Sequence, residues 1–285
     1  MSRKQLAIAI PASVISDTPH LREKTSKIGF IGRAAAVFRV DKIIVYPDNT
    51  GKVKQENEAD LIALLLSYLE TPQYLRKRFF KLDSRLQYAG ILPPLRTAHH
   101  PLNRRAENLK VGEYREGVTV SETKEGVLVD IGVERHALMR ETHWELGKRL
   151  TLQVVTTGER IEVQTASKDE IPSYWGYKVK IENRSFRRFM ENERFDLTIA
   201  TSKIGDKFED IAEKMAEKWA KSNRTLVAFG APARGLHEIV GDEGADLNDF
   251  ADFVVNMVPE QGTETVRTEE ALFVSMAILN VQFGW

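Results

Sequence analysis

Thr225-Leu-Val-Ala-Phe-Gly-Ala-Pro-Ala-Arg-Gly-Leu236 and Phe253-Val-Val-Asn-Met-Val-Pro-Glu-Gln-Gly262 share one plan: a short apolar strand that empties into a glycine-bearing loop. Glycine tolerates φ above zero and carries no side chain, so such loops let backbone amides and carbonyls close on a ligand. The second loop runs through Thr265-Val-Arg-Thr-Glu-Glu270 into Ala271-Leu-Phe-Val-Ser-Met-Ala-Ile-Leu279. That helix is apolar on every side, so it is expected in the core or in a subunit interface. Thr268 is its expected N-cap, with Glu269 and Glu270 in the first turn at the positive end of the helix dipole. Two such loops so late in the chain point away from an ordinary nucleotide fold. Gly230-Ala-Pro-Ala-Arg-Gly235 has phosphate-loop spacing, but Leu-His follows it where Lys-Ser/Thr is required.

Upstream the same strand-then-helix alternation recurs. Residues 5–10 read as a buried strand ended by Pro11, and 26–38 as a helix. Residues 42–46 form a strand stopped by Pro47-Asp-Asn-Thr-Gly51, and 58–69 a helix ended by Thr71-Pro72. From Leu92 to Pro172 the texture changes: glycines recur, and 113–120, 126–131, 150–155 and 161–165 give four or five short strands, the pattern of a small barrel or sandwich. After Pro172 strands at 177–181, 195–201, 225–229 and 253–258 alternate with helices at 185–192, 207–221 and 269–279. The expected fold class is α/β: a parallel-sheet domain formed by 1–91 and 173–285, interrupted by a small β domain at 92–172.

The 285 residues carry 41 Lys+Arg against 41 Asp+Glu, but unevenly. Between Tyr74 and Arg105 eight cations face the single acid Asp83, whereas Glu238–Glu260 holds seven acids and no Lys or Arg. A basic face and an acidic rim are expected, and local patches rather than net charge set the field. Cysteine is absent, which removes disulfides, thiolate nucleophiles and Cys-based zinc sites. His99-His100, His136 and His143 show no metal-ligand spacing, so no metal is expected. No apolar run approaches the ~20 residues of a membrane span and the first residues do not read as a signal peptide, so a cytoplasmic protein is expected. Arg33 lies among the small residues of Lys27-Ile-Gly-Phe-Ile-Gly-Arg-Ala-Ala-Ala-Val-Phe38. It is either ion-paired at a helix edge or an anion contact at the strand ends, because a charge there needs a partner.

Ile28-Gly-Phe-Ile-Gly-Arg-Ala-Ala-Ala-Val-Phe-Arg-Val-Asp-Lys-Ile-Ile44, Leu226–Leu236 and Val255–Leu272 together resemble the three motifs of the SPOUT superfamily of knotted methyltransferases. Within it, the Gln-Gly and Arg-Thr-Glu-Glu-Ala elements resemble the archaeal-eukaryotic family of RNA uridine-N3 methyltransferases. Leu197-Thr-Ile-Ala-Thr-Ser202 and Tyr174-Trp-Gly-Tyr177 are similar too. The resemblance implies a C-terminal trefoil knot, an OB-like inserted barrel, bound S-adenosyl-L-methionine and a homodimer packed through the knot. It implies cofactor contacts at Gly230, Gly235, Asn256, Val258, Gln261, Gly262, Thr265, Arg267 and Thr268, with Thr201 and Ser202 at the same sheet edge. Relatives often have Gly-Gln-Gly where this chain has Glu260-Gln-Gly, and a basic residue near Ile204.

The implied activity is methylation of uridine N3 in ribosomal or other structured RNA. The same fold also supports ribose 2′-O and guanine-N1 methylation, and a non-catalytic RNA-binding or assembly factor that keeps the pocket. Uridine N3 must lose a proton and is hidden in a base pair, so catalysis needs a base or a cation and a flipped or single-stranded target. Arg33 is the candidate catalytic residue, orienting the target and stabilising charge. Arg234 is a candidate phosphate contact, and Arg267 is another, or a structural ion pair. RNA would run over Arg76, Lys77, Arg78, Arg104 and Arg105, with aromatic residues interleaved. Phe79 and Phe80 are read rather as core residues of an amphipathic helix.

Overall fold

A computed structural model describes residues 4–48, 55–141 and 144–284. Asn49–Gly51 of the expected turn, and His143, lie outside the described residues. By compactness the chain forms two units, one of Met1–Leu69, Ser84–Pro94 and Tyr177–Trp285, the other of Glu70–Asp83 and Leu95–Gly176.

In chain order the first unit opens with β1 (Gln5–Pro11), α1 (Leu21–Val37), β2 (Lys42–Tyr46) and α2 (Glu56–Glu70). The second unit holds α3 (Gln73–Phe79) and strands β3 (Tyr114–Thr123), β4 (Gly126–Asp130), β5 (Ala137–Met139), β6 (Arg149–Thr156) and β7 (Glu162–Thr165). The first unit then resumes with β8 (Lys178–Ile181), α4 (Phe186–Asn192), β9 (Leu197–Lys207), α5 (Phe208–Lys221), β10 (Arg224–Ala228), α6 (Leu236–Gly241), β11 (Phe253–Asn256) and α7 (Thr268–Phe283).

The fold is mixed α/β. Six parallel strands run in the order β11-β9-β10-β1-β2-β8. Parallel strands need helical crossovers, and both faces of such a sheet are buried. Ala7 and Ala9 of β1, Ile44 and Tyr46 of β2 and Leu226 and Ala228 of β10 pack with Phe186 and Phe189 of α4 and Leu236, Ile239 and Val240 of α6. The alternate residues Ile8, Ile10, Ile43, Val45 and Val227 point to the other face and are equally buried. α1 packs with α7 through Phe38 and Phe273, edge to face at 6.2 Å, and Lys27 ion-pairs with Glu269 at 3.4 Å.

Two expectations about α7 need correction. Its cap is Arg267, and Thr268 is the first helical residue. Nor is the helix a core helix on all sides: Leu272, Ser275, Met276 and Leu279 form one buried stripe, while Val274 and Val281 are exposed on this chain, which leaves the interface alternative untested.

The second unit is a closed five-stranded barrel, β3-β4-β5-β7-β6, around Val127, Val129, Leu152, Val154 and their neighbours. Gly126, at φ +146°, must be glycine, because a Cβ there would lie 2.2 Å from Met139 O. The Tyr74 ring of α3 covers Gly132, and its hydroxyl donates to Glu116 O at 2.7 Å. The expected core role of Phe79 fails, since it closes a short helix with its side chain exposed.

Candidate functional site

Three neighbouring strands, β11, β9 and β10, empty at one edge of the sheet, and each exit is built differently. The β9–β11 ladder pairs Ile199 with Phe253 and Ala200 with Val254, then resumes at Asp206 with Val255, so residues 201–205 form a bulge of β9, looped out of that ladder. Gly205 permits this, because a Cβ would lie 2.5 Å from Val254 O. Thr201 Oγ1 donates to Ala228 O at 3.1 Å, tying the loop to β10.

The β10 exit, Phe229–Gly235, is held from below by Tyr46, whose buried hydroxyl donates to Phe229 O at 2.6 Å. Burial, seconded by the nearby Asp48 carboxylate, pushes that phenol well above its ordinary pKa, so it stays a donor. At the β11 exit the Asn256 amide donates to Lys203 O at 2.9 Å and its carbonyl accepts Val258 N–H at 3.0 Å. Gln261 donates to Thr263 O and Glu264 O, and Lys203 Nζ also donates to Glu264 O at 3.0 Å. Thr268, freed from capping, donates its hydroxyl to Gly230 O at 3.0 Å and pins the start of α7 to the β10 loop.

These loops enclose a cavity of about 360 Å³. Nine of the residues expected to hold a cofactor line it: Thr201, Ser202, Gly230 and Gly235 from the first two exits, and Asn256, Val258, Gln261, Thr265 and Thr268 from the third. Gly262 and Arg267 are not in the lining. The side chains of Asn256 and Gln261 hold the loops together. Missed in the sequence were the apolar walls Phe229, Val255 and Met257, the titratable His237, Glu238 and Glu264, and Ser275. Thr268, Ala271 and Ser275 share a helical face at i, i+3, i+7, a signal that the apolar character of α7 concealed.

The arginines divide by their partners. Arg234 lines the cavity, with Nη1 donating to Asp48 O at 3.1 Å and Nη2 paired with Asp242. Arg33 is half-buried on α1, donates to Pro94 O at 3.1 Å and lies outside the lining. In the second unit Arg76 donates to Thr71 O, Arg78 pairs with Asp130 at 3.4 Å, Arg104 donates to Gln73 and Arg105 sits 4.0 Å from Glu107, while Lys77 is exposed.

The second unit also holds a buried polar cluster. Arg149 donates to Glu70 at 2.8 and 3.1 Å and to Glu116 at 2.6 Å, and Trp175 Nε1 donates to Glu116 at 2.6 Å. Burial alone would raise Glu70, but the His99 hydrogen bond and the Arg149 charge bring its pKa down to about 2. Burial, with His99 beside it, lowers His100 to about 4. Among the described residues no group of His, Asp and Glu could hold a metal ion, and no helix is long and apolar enough to cross a membrane.

A family model described as "Putative RNA methyltransferase" matches residues 5–279. An uncharacterized protein of Haloarcula marismortui is 31% identical over 295 residues, covering 96% of this chain and 98% of its own. The 28S rRNA (uridine-N(3))-methyltransferase of Homo sapiens is 31% identical over 306 residues, covering 96% of this chain and 77% of its own. The Drosophila melanogaster protein of that name is 32% identical over 308 residues, covering 96% and 61%.

Proposed function

The chain belongs to the RNA methyltransferase family whose model spans it, and from that premise we propose that it methylates N3 of a uridine in ribosomal or other structured RNA, using S-adenosyl-L-methionine. The observation that carries this reading is the glycine-walled cavity at the ends of β9, β10 and β11, beneath the start of α7. Its volume, about 360 Å³, falls within the ordinary range for small-ligand sites. Its chemistry is graded: Phe229 and Val255 are fully buried, while Lys203, Glu238 and Glu264 are exposed. That gradient suits a ligand with a flat, weakly polar end and a zwitterionic end, and Gly230 lets the backbone approach it.

S-adenosylmethionine would supply an electrophilic methyl group for in-line displacement. The protein's own work is then positioning and charge stabilisation. The buried walls exclude water. Lys203 and Arg234 would stabilise the uridine anion once N3 loses its proton, and Arg33 would orient the base or backbone. Arg76, Lys77, Arg78, Arg104 and Arg105 would hold RNA phosphates, with a barrel of OB-like size behind them.

A trefoil knot is part of the proposal. It is supported by the departure of residues 201–205 from the ladder and by the close approach of Gly205 to Val254. So is a homodimer. Phe30 and Val37 on α1, and Val274 and Val281 on α7, are exposed i, i+7 pairs on two neighbouring helices. We place the protein in the cytoplasm with its RNA. Nucleoside mass spectrometry of RNA from a deletion strain tests the reading: 3-methyluridine is expected to fall and to return on complementation. Unchanged 3-methyluridine refutes the target atom, and a fall in a 2′-O-methylnucleoside or 1-methylguanosine names the alternative.

A further inference from the structure

A buried hydroxyl on a helix has an ordinary route, donating to the carbonyl four residues back. Thr25 donates to Leu21 O at 2.8 Å, and Ser222, just past α5, donates to Lys218 O at 2.7 Å. Ser275 does not. It is fully buried in the middle of α7, its Oγ has no hydrogen-bond partner, and it lines the cavity. A buried hydroxyl without a partner is costly, and in a native protein it marks a place where something else supplies the bond.

Ser275 lies seven residues beyond Thr268, about 10 Å along the helix axis. Ser275 lines the cavity together with Phe229, Val255 and Met257 and is buried as they are, whereas Lys203 and Glu264 of the same lining are exposed. Apolar walls with one hydroxyl suit the edge of a heteroaromatic base, whereas an amino-acid zwitterion needs the charged rim.

Resting on the cofactor reading above, we propose that the Ser275 hydroxyl reads the purine edge of the methyl donor from the buried part of the cavity. It is a binding residue that sets the choice of base, and it touches no reacting atom. A serine hydroxyl can donate or accept, so it can meet either the exocyclic amine or a ring nitrogen.

The test uses the full chain and calorimetry with S-adenosylhomocysteine, so no turnover is needed. Ser275→Ala is expected to raise Kd roughly three- to tenfold, the range of one neutral hydrogen bond. An analogue lacking the contacted group, among the 1-, 3- and 7-deaza and 6-desamino purines, is expected to bind wild type and variant equally. Without ligand the variant is expected to melt no lower than wild type, since it loses an unpaired hydroxyl. A change below threefold overturns the proposal, as does equal weakening of every analogue with a lower ligand-free melting temperature. If the variant fails to fold, the analogue series on wild type alone decides: equal affinity for all overturns it. Wild type that binds no S-adenosylhomocysteine refutes the cofactor reading itself, a distinct result.

Discussion

Gly230→Ala puts one methyl group where the cavity has no room for it. A Cβ at residue 230 would lie 3.0 Å from Leu236 N, 3.1 Å from Arg234 O and 3.1 Å from Gly235 Cα, all of them backbone atoms. No side chain can swing aside, so the β10 loop itself must move by several tenths of an ångström. Its movement carries with it Gly230 O, which accepts the Thr268 hydroxyl and ties α7 to the cavity. Overpacking of this kind costs about 1–3 kcal/mol. If that cost falls on the ligand-bound geometry, Kd for S-adenosylhomocysteine rises roughly 5- to 150-fold. Calorimetry measures it directly, with Gly241→Ala as control, because a Cβ at Gly241 meets nothing within 4 Å and that residue is outside the lining. Affinity within twofold of wild type for Gly230→Ala, or an equal loss in the control, would refute the reasoning.

Arg149→Met should destabilise the second unit by about 3–5 kcal/mol, because it strands two buried carboxylates, Glu70 and Glu116. Urea unfolding followed by the fluorescence of Trp175, which donates to Glu116, reports it, and a loss under 1 kcal/mol contradicts the buried-pair reading. Acid should weaken the same unit in two stages. His100 titrates at about 4 when folded against 6.5 ordinarily, so its contribution is complete above pH 6.5 and fades as pH falls through 4. Glu70, at about 2 against 4.5, contributes fully above pH 4.5 and fades through 2, each shift being worth about 3 kcal/mol. A melting temperature flat from pH 7 to 4 would remove the first stage. Phe30→Asp is expected to turn a dimer into a monomer in analytical ultracentrifugation, and a monomeric wild type at tens of micromolar would show that the α1–α7 stripe serves another purpose.

Strand–glycine loops were legible in the sequence because their signal is local: a β-rich run, then residues that tolerate close approach. β2 begins and ends where its pattern does, at Lys42 and Tyr46. β5 was illegible, since Ala137–Met139 is too short to display a period and exists by pairing with β4 and β7. α7 misled for a different reason. Its composition is apolar all round, so no periodicity says which valines face out; only burial in the fold separates Leu272 and Met276 from Val274 and Val281. Thr268 illustrates competition between two local rules: a good capping residue sits one position inside the helix because Gly230 O takes its hydroxyl. At Glu260 the backbone takes φ +57°, which favours glycine, and this is the position where the resemblance in the sequence implies one. The loop keeps its shape here at some conformational cost, so the departure changes a side chain more than a wall.

The acidic stretch 238–260 borders the cavity that RNA must reach, and seven acids there would repel phosphates if all were free. Much of that charge is spent within the fold. Asp242 pairs with Arg234, Asp252 with Lys218, and Glu260 lies 3.7 Å from Lys207. Asp246 and Glu243 keep their charge but are held in place by neutral donors, the Asn248 N–H at 2.9 Å and the Ser185 hydroxyl. Exposed pairs of this sort add little stability, about 0–1 kcal/mol each. Their larger effect is on the field: each pair is close to neutral at distances beyond the ~8 Å screening length of physiological salt. An acidic run in sequence is therefore a weaker barrier in space, and the neutral chain can accept a polyanion at that edge. Arg234 gives this its sharpest form, for it neutralises Asp242 and lines the cavity at once. Removing it would expose the acid and lose the cation together, so its loss should weaken RNA binding more than the loss of one phosphate contact.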